Sequence, residues 1–189
     1  MSDRIAQGLS ASARVMLGES GAARDIDGSG EAVRFSFLGL ALAVFMDAAI
    51  VSAGSPGDGR TEVFLWLLVL DVASYAAAVA VILVLTREPE HRKRFPSFLA
   101  AQNWGEAVLA AVFAVPKYIY VTLPPVQVEG AQVTGSPLII ISIVVGLVVA
   151  TFVARYRLLV HVLGVSGVRA FWMVIAAMAA ASIMAAVLS

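Results

Sequence analysis

Three acids stand in stretches otherwise built of apolar residues: Asp47, Asp71 and Glu106. Placing an ionised acid at the centre of a membrane helix costs about 2.5–3.5 kcal/mol, so such groups turn inward and find a partner or carry a function. Gln102, Asn103 and Trp104 precede Glu106 within one helical turn, and Gln102 and Asn103 lie close to its face. Ser74 and Tyr75 stand in the same relation to Asp71. At 1.5 Å rise per residue, Asp47 lies about 20 Å and Glu106 about 14 Å from the inner edge of the membrane, and Asp71 about 12 Å from the outer edge. In a hydrocarbon core of about 30 Å, those depths agree to within about 6 Å, so the three acids can share one layer. Lys117 is eleven residues beyond Glu106 and about 16 Å further along the axis. It is better placed to answer Asp47 or Asp71 than Glu106. Clustered acids with few cations at their depth imply that at least one is protonated. Two readings of this network (Asp47, Asp71, Gln102, Asn103, Trp104, Glu106 and Lys117) stay open: paired polar groups that fasten helices together, or the lining of a proton or solute path.

The elements that must position these groups are membrane spans. The chain has 189 residues, 60% hydrophobic and 14% charged, with mean hydropathy +0.91, far more apolar than a soluble domain. Five segments reach the roughly 20 apolar residues a spanning helix needs: about 33–53, 63–85, 97–116, 137–160 and 168–188. The fold class expected is all-α, a polytopic bundle of five transmembrane helices occupying residues 33–189. Residues 1–32 precede it as a cytoplasmic segment. Within them Ile5, Leu9, Ser12 and Met16 share one helical face, which predicts a short amphipathic helix on the membrane surface. The polar, glycine-rich stretch 18–30 reads as a loop. Pro116 is expected to end or kink the third span. Val126 to Thr134 alternates apolar and polar residues around Gly130, the pattern of a small hairpin. Gly146, Ala150 and Ala154, and likewise Ala177, Ala181 and Ala185, have the four-residue spacing that allows close helix approach.

Lys and Arg fall eleven on one side and two on the other when alternate loops are counted, which predicts a cytoplasmic N-terminus and a C-terminus outside. The composition fits a bacterial inner membrane protein, periplasmic at its C-terminus. Residues 1–32 lack the apolar run of a secretory signal, and no lipidation motif is present. Arg87, Arg92, Lys93, Arg94, Arg155 and Arg157, with His91, form a basic collar able to hold anionic lipid headgroups or simply to set topology. No basic surplus points to nucleic acid. Cysteine is absent, and His91 and His161 lack metal-ligand spacing. No nucleophile elbow, phosphate loop or dinucleotide fingerprint occurs. No enzyme activity, metal or cofactor is expected.

Three further stretches belong together: Arg14-Val15-Met16-Leu17-Gly18-Glu19 leading through Asp27-Gly28-Ser29-Gly30-Glu31 to Arg34-Phe35-Ser36-Phe37; Gln102-Asn103-Trp104; and Arg155-Tyr156-Arg157 with Leu163-Gly164-Val165-Ser166. The set resembles bacterial members of the Yip (Ypt-interacting-protein) family of five-span membrane proteins, although Ala32-Val33 replaces the Gly-Phe that follows the acid in that family's pattern. The resemblance implies a five-span fold with a cytoplasmic N-terminus. It carries no activity over, since the eukaryotic members work with small GTPases of vesicle traffic. The function expected is a non-enzymatic scaffold or accessory factor that binds lipids and a partner membrane protein or a second copy of itself. The alternative is a small proton-linked transporter or channel using the intramembrane acids.

Overall fold

The computed structural model describes residues 2–54, 59–122, 125–128, 131–134 and 137–188. Helix α1 (Ser2–Met16) is followed by a 3-10 turn (Ser20–Asp25), then α2 (Gly30–Ala53), α3 (Arg60–Leu85) and α4 (Pro89–Thr122). Strands β1 (Pro125–Val128) and β2 (Ala131–Thr134) pair antiparallel, with Val126 opposite Val133. Helix α5 (Pro137–Leu158) runs into a π turn (Leu159–Leu163), and α6 (Gly167–Leu188) closes the bundle. Five helices, α2 to α6, are long and apolar enough to cross a membrane, so the chain is a multi-pass helical membrane protein.

Local chemistry sets the helix ends. Asp27 accepts hydrogen bonds from the Ser29 backbone N–H (2.8 Å) and hydroxyl (3.0 Å). Ser29 in turn caps α2 by accepting from the Ala32 N–H at 3.2 Å, satisfying one of the helix's free donors. Thr86 closes α3 by donating its hydroxyl to the Ile82 carbonyl at 2.7 Å. Gly164 ends the π turn at φ +81°, a left-handed conformation that suits glycine.

Helix α4 departs from the sequence expectation at both ends. It begins at Pro89, where the missing N–H costs nothing, and continues through Pro96 and Pro116 to Thr122. Arg92, Lys93 and Arg94 therefore sit in its first turns rather than in a loop, and Pro116 does not end it. The stretch 18–30 likewise contains the 3-10 turn instead of being all loop.

The helices pack as two pairs, α2 along α4 and α3 along α6, while α3 and α4 scarcely touch. The apolar core gathers at the end of the bundle that carries α1. There Val15, Phe98, Leu158, Leu159, Leu163 and Met173 are almost wholly buried. Outward faces such as Leu65, Trp66 and Val69 on α3 or Val144, Val145 and Val148 on α5 are exposed. Only 11% of the apolar window of α3 is buried, which leaves the rest to lipid.

Helix α1 is amphipathic, but protein covers its inner face. Ala11, Ser12, Val15 and Met16 are buried against α4 and α5, so the helix is part of the bundle rather than only a surface attachment. Of the small-residue rows, Ala154 and Ala177 are buried. Gly146 is exposed and meets nothing within 4 Å.

Candidate functional site

The polar residues of the spans separate into a tight corner and a charged cavity. Asn103 makes the corner. It is fully buried, donates to the Ser36 hydroxyl at 2.8 Å and accepts from the Tyr75 hydroxyl. Ser36 passes its own proton to the Val33 carbonyl at 2.7 Å. One amide thus joins α2, α3 and α4. Trp104, 7% exposed, lies between two glycines. A Cβ on Gly8 of α1 would stand 2.4 Å from the indole Nε1, and one on Gly39 of α2 would stand 2.6 Å from Cε3. Only glycine lets both backbones close on the ring at that range.

The cavity lies between the two helix pairs and has a volume of about 250 Å³. Asp47, Asp71, Glu106, Lys117 and Arg155 all line it. Lys117 Nζ is 2.7 Å from Asp47 Oδ2. Arg155 Nη2 is 2.9 Å from Glu106 Oε1, which also accepts from Gln102 Nε2. These two pairs neutralise two acids. Among the described residues, the third acid, Asp71, has no hydrogen-bond or ion-pair partner. Buried Asp47 Oδ1 is also without one. The three acids thus share one site at different levels of satisfaction.

Arg155 corrects the sequence grouping. From sequence it belongs to the headgroup collar, yet it turns inward to Glu106 and is only 16% exposed. Arg157 also leaves the collar: it donates to the Met16 carbonyl at 2.5 Å and lies against Gly18, tying α5 to the end of α1. Arg87, Arg92, Lys93 and Arg94 remain exposed, although Arg92 Nε also donates to the Thr86 carbonyl at 3.0 Å. His91 is half-buried, 2.9 Å from Glu88 and 3.3 Å from the Gly164 carbonyl. It fastens the start of α4 to the turn before α6. Beyond the spans, Arg14 binds Glu19 and Asp25. Its hydrogen bond and charge hold the Glu19 carboxyl below its ordinary value and raise its own.

Sequence reasoning missed Ser36 as a partner of Asn103, Asn103 as the partner of Tyr75 and the inward role of Arg155. A signal existed for Ser36 and for Arg155. Ser36, Leu40, Ala43 and Asp47 recur at helical spacing on one face of α2, so Ser36 shares the face of a known inward acid. Thr151 and Arg155 are one turn apart on an otherwise apolar helix, and both line the cavity.

Among the described residues, no three His, Asp or Glu side chains converge as a metal site. No protein-family model, curated protein or solved structure matches the chain.

Proposed function

We propose that this protein moves or exchanges protons across a membrane, with the charged cavity as its working site and Asp71 as its proton-carrying group. The observation that carries this reading is the asymmetry of the cavity: two acids are matched by cations and one is not. An acid facing a cavity inside a membrane bundle, with no partner of its own, is a poor fastener and a natural proton relay. By the same measure Asn103 and Trp104 serve the fold. The basic end is assigned to the cytoplasm of a bacterial inner membrane because Lys and Arg gather on that side, in keeping with the resemblance to five-span Yip proteins.

The decisive experiment reconstitutes the full chain in liposomes holding a pH-sensitive dye and imposes a potassium diffusion potential. Wild type acidifies or alkalinises the lumen according to the sign of the potential. Asp71→Asn abolishes this in a folded, monodisperse protein. Equal flux in Asp71→Asn would sink the reading.

A second reading rests on a different observation. Arg87, Lys93 and Arg94 are exposed together at the start of α4, a surface suited to anionic headgroups or an acidic partner protein. Here the protein is an accessory factor without enzymatic activity. Capture from native membranes in nanodiscs, followed by protein and lipid mass spectrometry, tests it: a stoichiometric partner lost on Arg87→Gln/Lys93→Gln/Arg94→Gln supports it, and a lone protein counts against it.

A further inference from the structure

We infer that the cavity takes one small primary ammonium in exchange for the proton on Asp71, one for one. This rests on the proton-handling reading above and names the ligand that competes with the proton at Asp71. The charged and titratable groups facing Asp71 come from four helices: Asp47 on α2, Tyr75 on α3 itself, Glu106 and Lys117 on α4, and Arg155 on α5; α6 contributes Ala181. With both ion pairs formed, the site carries one net negative charge when Asp71 is ionised. An unpaired carboxylate among membrane helices is costly, and the site is neutral with a proton on Asp71 or with one monovalent cation beside it.

Volume and lining select the cation. About 250 Å³ is far more than a proton relay uses, since one water occupies about 30 Å³ in the liquid. Besides Asp71, the lining includes Ser74 and Tyr75. A primary ammonium brings three donors and no acceptor, which suits a carboxylate flanked by hydroxyls. Leu40, Val44, Leu109 and Phe113 supply an apolar wall for a short alkyl tail. The exchange is balanced: the O–H bond of protonated Asp71 breaks, its proton leaves to water, and the carboxylate accepts an N–H of the incoming ammonium. No covalent bond to the solute forms, and nothing is oxidised or reduced.

The test uses the full chain in nanodiscs, with propylammonium as the probe, in a weakly buffered solution containing a pH indicator. The expected result is saturable binding with one proton released per chain, and an apparent Kd that rises about tenfold for each unit fall in pH on the acid side, as competition for one group requires. Tetramethylammonium, which has no N–H donor, binds at least about tenfold more weakly. Asp71→Asn removes both binding and proton release. Ala181→Leu, which narrows the cavity, removes propylammonium binding and the proton release that accompanies it. That second variant keeps the question decidable if Asp71→Asn fails to fold. Binding without proton release, binding that survives Asp71→Asn, or equal displacement by sodium or potassium overturns the exchange. Proton flux in liposomes without propylammonium binding overturns the exchange and leaves the proton reading standing; absence of both removes both.

Discussion

Asn103 and Asp71 are both polar groups within membrane spans, on neighbouring helices, and they are treated in opposite ways. Asn103 has partners from two other helices and no exposure. Asp71 borders open space and has no partner among the described residues. Around Asn103 the backbones close until only glycine fits against Trp104. Around Asp71 the helix pairs part. On the proposed reading, completeness of pairing, rather than burial or polarity alone, is what separates the structural group from the working one.

Substitutions at four positions and one titration can break or sharpen this contrast. The largest effect belongs to Glu106→Leu, which leaves the largely buried Arg155 without its ion-pair partner and lowers stability by about 3–5 kcal/mol. Glu106→Gln keeps an acceptor for Arg155 and stays folded; denaturant unfolding in mixed micelles reads both. Next is Gly39→Val, whose side chain overlaps Trp104 and costs about 1–3 kcal/mol. The expected sign is a loss of near-ultraviolet tryptophan signal with helix content unchanged. Asn103→Ala leaves Ser36 and Tyr75 without their partner and costs about 1–2 kcal/mol. Asp71→Asn changes stability by about 0.5 kcal/mol or less yet removes proton flux. A drop as large as that of Asn103→Ala would erase the distinction between the two regions.

The smallest effect lies outside the spans. Arg14 holds the Glu19 carboxyl below its ordinary value of 4.5, so the tie is fully present above that value and is lost as pH falls through the lowered one. The melting-temperature difference between wild type and Arg14→Gln therefore shrinks as pH is lowered into the acid range. A difference that grows on acidification contradicts the assigned pair.

Much of the fold was legible because hydropathy is a property of single segments. Five apolar runs announce five spans without reference to one another, and the depths of Asp47, Asp71 and Glu106 follow from counting along each. Pairing is a property of two segments at once. Arg155 reads as a collar residue because its own helix puts it near an end; only the close approach of α4 turns it to Glu106. Pro89, Pro96 and Pro116 look like boundaries, yet one lies in the first turn and the other two are carried by the packing of α2 along α4. The cavity was not legible at all, since an empty space between helix pairs has no residue type or spacing of its own.

The bond from Arg157 to the Met16 carbonyl joins residues 141 apart. At synthesis rates of about 5–20 residues per second, the interval between making one and making the other is about 7–28 s. For most of that interval α4 is unfinished, and α5 is incomplete throughout it. The apolar face of α1 then has one shelter, the surface of the bilayer at the translocation site, which is where an amphipathic pattern is useful. Helix α1 thus leaves the ribosome well before the helices that cover it, and its sequence serves a waiting place as well as a destination.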